Sequence, residues 1–110
     1  MLHSKKRHKK AMTRPDINPE SDSNLRFRKM ADRFIDCANR QLTDAESSTV
    51  NSAFLYGASR FSAFVTVQKA GTLEQFDEIH EDAVNYYTEE FKKMLVQNLE
   101  HYRDALEKGA

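Results

Sequence analysis

VNSAFLYGASRFSAFV, Val50 to Val65, carries one charge, Arg60, in an otherwise uncharged run. Its apolar residues do not alternate as a half-buried strand would. Val50, Phe54, Gly57, Ala58, Phe61, Phe64 and Val65 recur at steps that keep them on one side of a helix. The low-charge stretch from Ser47 to Gln68 is long enough to cross a bilayer, yet Ser48, Thr49, Asn51, Ser52, Ser59, Arg60, Ser62 and Thr66 are spread through it. We read it as a water-soluble helix from about Ser48 to Lys69, stopped by Gly71, where a left-handed cap favours a residue without a Cβ. Gly57 stands on the core face although Gly costs about 1 kcal/mol relative to Ala in a helix, which predicts a neighbouring helix close against it.

Working outward, Phe27, Met30, Ala31, Phe34, Ile35, Ala38 and Leu42 form a helical stripe behind Ser21, Asp22 and Ser23, each a suitable N-cap. This first helix joins the second through TDAES. On the other side, Thr72-Leu73-Glu74-Gln75 matches a capping box, in which hydroxyl and carboxamide satisfy first-turn donors. The third stripe is Leu73, Phe76, His80, Ala83, Val84, Tyr87, Phe91, Met94, Leu95, Asn98, Tyr102 and Ala105. At ~1.5 Å per residue such a helix approaches 50 Å, against roughly 30 Å for the other two, so it either breaks near Asp77 to His80 or overhangs. Short connections make neighbours antiparallel. The expected fold is all-α: a three-helix antiparallel bundle, residues 23–109, with a long third helix. Residues 1–22, with Pro15 and Pro19 and no apolar period, read as a disordered basic arm and linker.

Composition agrees with one helical domain: 110 residues, 39% apolar and 31% charged, with three Gly, two Pro and no Trp. The single cysteine, Cys37, cannot form an internal disulfide or a thiolate metal site, which fits a reducing compartment. A formal charge of zero hides an asymmetry. Lys5, Lys6, Arg7, Lys9, Lys10 and Arg14 give residues 1–14 a charge of +6, and residues 15–110 carry −6. The acidic body does not suit a nucleic-acid-binding fold. The basic start has no apolar segment after it, so it does not read as a secretion signal, and the expected location is cytoplasmic.

ADRFIDCANRQL, SAFLYGASRFSAFV and NYYTEEFKKMLVQNLEHY, in this order, resemble the domain-of-unknown-function 3144 family, with similarity from roughly Phe27 to Arg103. The resemblance implies a short, stand-alone, cytoplasmic bacterial protein, and brings no assigned activity, cofactor or catalytic residue. The basic arm and Cys37, where an aliphatic residue is expected, depart from the family pattern.

Catalytic signatures are missing: the sequence has no Gly-rich phosphate loop, nucleophile elbow, HExxH or paired cysteines. The leading expectation is therefore a protein-interaction or self-association module without catalysis, a homodimer or a binder of another protein, with no cofactor, no metal and no membrane partner. Contact would run through the overhang of the third helix and the Gly57/Arg60 side of the second. One alternative is a small-molecule or anion pocket, conceivably enzymatic, around Arg60, His80 and a tyrosine hydroxyl such as that of Tyr56. A guanidinium fork suits a carboxylate or phosphate, although Arg60 equally suits an ion pair with a neighbouring helix. His80 follows Asp77 by three, but a di-metal bundle repeats Glu-x-x-His on two helices, and this chain does not. Asn98, on the apolar stripe, reads as a hydrogen-bonding residue that fixes helix register. A third reading is a nucleic-acid accessory whose Lys5, Lys6, Arg7, Lys9 and Lys10 make weak, salt-sensitive contact with polyanions.

Overall fold

The computed structural model describes residues 21–109, which form three α-helices; the described residues include no strand. The helices are α1 (Asp22–Gln41), α2 (Ser47–Ala70) and α3 (Leu73–Glu107). The all-α class and the order of three helices with the third longest are as expected. The basic arm lies outside the described residues, apart from the end of its linker.

Each helix boundary has a local cause. Ser21, in extended backbone, accepts a hydrogen bond through its Oγ from the Asn24 N–H at 3.1 Å, while Asp22 in the first turn and Arg40 in the last match the helix dipole. The far end of α1 is tied off by the Leu42 N–H to the Asn39 carbonyl at 3.1 Å and by the Thr43 hydroxyl to the Arg40 carbonyl at 3.0 Å. Gly71 has φ 77° and donates to the Val67 carbonyl at 3.1 Å, which ends α2 where a left-handed cap was expected. Thr72 then caps α3, its Oγ1 accepting from the Gln75 N–H at 3.2 Å. α3 does not break near Asp77 to His80. It runs for 35 residues, close to 50 Å at ~1.5 Å per residue, until Lys108 and Gly109, the latter at φ 85°, cap it.

The chain divides into two compact units, Met1–Tyr56 and Gly57–Ala110, the division falling inside α2. In the first unit Val50 is buried, and the least exposed positions of α1 are Asn24, Ala31 and Ala38, a narrow line at seven-residue spacing. In the second, Thr66 and Ala70 are buried, and α3 has its half-buried line at Phe76, Ile79, Ala83, Tyr87, Glu90, Gln97 and Ala105. The Thr66 hydroxyl donates to the Ser62 carbonyl at 2.9 Å, so its burial strands no polar group.

Most of the expected core is not buried. Phe27, Met30, Phe34 and Ile35 of α1 and Leu42 at its C-cap are exposed, as are Phe54, Phe61 and Phe64 of α2 and Leu73, Val84, Phe91, Met94, Leu95 and Tyr102 of α3. The half-buried line of α3 is rotated from its apolar stripe by roughly 60°, at about 100° per residue, so the helix turns a flank rather than the middle of that stripe toward its surroundings. Gly57 departs from expectation too: among the described residues a Cβ built there meets nothing within 4 Å. Among the described residues no side chain is fully buried. A helical domain ordinarily closes an apolar core over itself, whereas most of the large apolar side chains among the described residues are exposed.

Candidate interaction surface

α2 is where that exposure is most at odds with composition. An amphipathic surface helix carries one apolar stripe with charges opposite, whereas a helix apolar on all sides belongs in an interior. Phe54, Leu55, Tyr56, Phe61, Phe64 and Val67 lie around the whole circumference of α2, and all are exposed, Phe61 at 66%. Phe61 and Phe64 approach each other with ring centroids 6.1 Å apart, tilted at 43°, beside the open position at Gly57. No helix among the described residues is long and apolar enough to cross a membrane.

Arg60 is exposed on α2, one turn from Phe64, and Tyr56 is exposed one turn before it; both take part in interactions within the chain. His80 is exposed on α3 and stacks on Phe76, with ring centroids 5.7 Å apart and 24° between planes. Asn98 is exposed, not enclosed, so the partner its place on the apolar stripe calls for does not bury it within the chain. It stands five turns along α3 from His80, about 27 Å at ~1.5 Å per residue, so no one pocket gathers the two. A shallow apolar hollow of about 290 Å³ lies where α2 passes into α3, lined by Val67, Gly71, Thr72, Leu73 and Phe76. None of Arg60, Tyr56, His80 and Asn98 lines it. Lys5, Lys6, Arg7, Lys9 and Lys10 lie outside the described residues.

Among the described residues no group of three or more His, Cys, Asp or Glu side chains is arranged to hold a metal ion. Cys37 is exposed, its sulfur 3.5 Å from Nε2 of Gln41 one turn on. The ion pairs Lys93–Glu90, at 3.0 Å, and Arg103–Glu107, at 3.5 Å, are solvated pairs along α3, each worth at most about 1 kcal/mol.

Several apolar residues on this surface escaped the sequence reading. Leu25, Leu55, Val96, Leu99 and Leu106 are exposed and lie off the stripes assigned to the core. Their signal was present in the sequence: apolar residues wider than one face, on helices with only one face to give to a core.

These features define a small all-helical protein with broad exposed apolar faces and, among the described residues, no metal-binding cluster. The chain belongs to the family described as "Protein of unknown function (DUF3144)", whose model matches residues 27–103, from the first turns of α1 to the last of α3. No curated protein and no solved structure matches it. Lys5 to Lys10 fall outside the matched region, and Cys37 falls inside it.

Proposed function

We propose that this protein is a non-catalytic self-association module, a cytoplasmic helical chain whose second copy covers the apolar faces that one copy leaves open. The observation that carries the reading is α2, a helix with Arg60 as its sole charge before Lys69 and large apolar side chains on every side, yet exposed along nearly all of its length. Conformational entropy opposes ordering at roughly 1–2 kcal/mol per residue for the backbone alone, and burial of apolar surface is the main term that offsets it. Val50, Thr66 and Ala70 supply little of that burial. Apolar surface from a second copy supplies more.

Two details support α2 as part of the contact. Gly57 has open space where a Cβ would stand, which leaves room for an approaching helix, and Phe61 and Phe64 project beside it. Arg60 on the same side provides a charge that can meet a carboxylate at the rim, where such pairs set orientation and encounter rate more than affinity. Phe61→Glu is the direct test. It places a carboxylate on the apolar side of an exposed helical position, so the single chain keeps its helical circular dichroism while the sedimenting species falls to monomer mass. A variant that sediments as wild type does would remove α2 from the contact.

A further inference from the structure

We propose that the C-terminal half of α3 pairs with the same segment of a second copy, with Asn98 meeting its own counterpart on the two-fold axis. The inference rests on the self-association proposed above and adds to the α2 contact a second surface, on α3. Phe91, Leu95, Asn98, Tyr102 and Ala105 follow one another at steps of four, three, four and three residues, the 3.5-residue period of a seam between two paired helices. Phe91, Leu95 and Tyr102 are exposed, Tyr102 at 66%, so nothing among the described residues covers these three. Met94, Leu99 and Leu106 widen it on both sides and are exposed as well. The charged residues of this half-helix lie away from the seam: Lys93 pairs with Glu90 and Arg103 with Glu107, leaving the apolar strip free of ion pairs.

The area is sufficient. Aromatic side chains present roughly 150–250 Å² each, and Leu and Met fall toward the lower end of that range. Phe91, Met94, Leu95, Leu99, Tyr102 and Leu106 are from 44% to 72% exposed, which leaves about 600 Å² per copy and about 1,200 Å² for a pair, the lower edge of a stable interface.

Asn98 decides the occupant. Apart from the hydroxyl of Tyr102 it carries the seam's only polar group, and pairing strips it of water. A carboxamide carries both donor and acceptor groups, so two of them face to face satisfy one another, whereas two carboxylates or two ammonium groups repel. In an isologous contact a residue meets itself only on the symmetry axis. An asparagine alone in an apolar seam therefore marks the axis, and the partner that fits it is a second copy of this chain.

The test uses the full chain with Cys37→Ser, to remove the native thiol, and Asn98→Cys. Under mild oxidation this variant forms a disulfide-linked dimer at least tenfold faster than the control Cys37→Ser with Glu100→Cys, whose thiol lies on the far side of the helix. Equal rates overturn the seam. Sedimentation of Cys37→Ser alone separates the two layers of the proposal: a protein that associates without selective cross-linking at position 98 refutes this seam and leaves association standing, and a monomeric protein refutes both. Asn98→Asp gives a second readout, because it puts like charges together on the axis. Its dissociation constant rises at least tenfold at neutral pH and recovers when the carboxyl is protonated; a constant equal to that of wild type at neutral pH also overturns the proposal.

Discussion

Replacing Gly57 with Ala separates what α2 does within one chain from what it does between chains. Gly57 lies in the interior of a 24-residue helix, and a Cβ at that position meets nothing within 4 Å. In the isolated chain the added methyl therefore clashes with nothing and restricts the unfolded backbone, a gain of about 1 kcal/mol. For a domain of 60–100 residues that corresponds to a rise of roughly 4–8 °C in Tm. Between chains the same methyl stands where a second helix is proposed to approach, and it holds that helix away. Thermal melts followed by circular dichroism, run at a concentration where the protein sediments as a monomer and again where it is associated, distinguish the two. The expected result is a higher Tm for Gly57→Ala in the dilute sample, the gain shrinking or reversing in the concentrated one, with a larger dissociation constant by sedimentation equilibrium. An equal gain at every concentration with unchanged association would refute the place of Gly57 in the contact. A lower Tm in the monomer would refute the open surroundings from which the reasoning starts.

Gly71→Ala forces a side chain into φ 77° at the α2 cap, and should lower stability by about 1–2 kcal/mol in chemical denaturation, with no change in association. Arg60→Met retains the side-chain stem and removes the charge of an exposed residue, so its effect on monomer stability should stay below about 1 kcal/mol, while the rate of association falls and loses its dependence on salt in stopped-flow mixing. Neutralising Lys5, Lys6, Arg7, Lys9 and Lys10 should abolish any binding of DNA or RNA measured by fluorescence anisotropy, and raising the salt from low to moderate should do the same for wild type.

Local signals in this sequence were sufficient for the helices, and insufficient for their packing. Ser21, Gly71 and Thr72 were readable as boundaries because capping depends on a few adjacent residues and on backbone geometry that those residue types favour. The continuity of α3 has the same local cause: no Gly or Pro interrupts Leu73 to Glu107, and nothing polar near Asp77 to His80 is a helix breaker. Periodicity located the apolar faces of Phe27 to Leu42 and of Phe91 to Tyr102, but it does not say whose atoms cover them. A stripe that faces a neighbouring helix of its own chain and one that faces another copy have the same 3.6-residue signature. The distinction lies in exposure, and at Phe34, Phe61 and Tyr102 exposure contradicts an internal core. Gly57 shows the same ambiguity, since a small residue within a helix predicts close approach without naming the helix that approaches.

Sedimentation equilibrium of the wild-type full chain, from the lowest detectable concentration to the highest soluble one, measures the association of these exposed helices without any substitution. A mass that rises with concentration from that of the 12.8 kDa chain toward a defined multiple of it, with Tm rising in parallel because assembly stabilises the fold by mass action, is the expected result. A single species of monomer mass at every concentration, with a cooperative melt whose midpoint does not move, would contradict self-association and require the apolar surface of α2 and α3 to be stable in water alone.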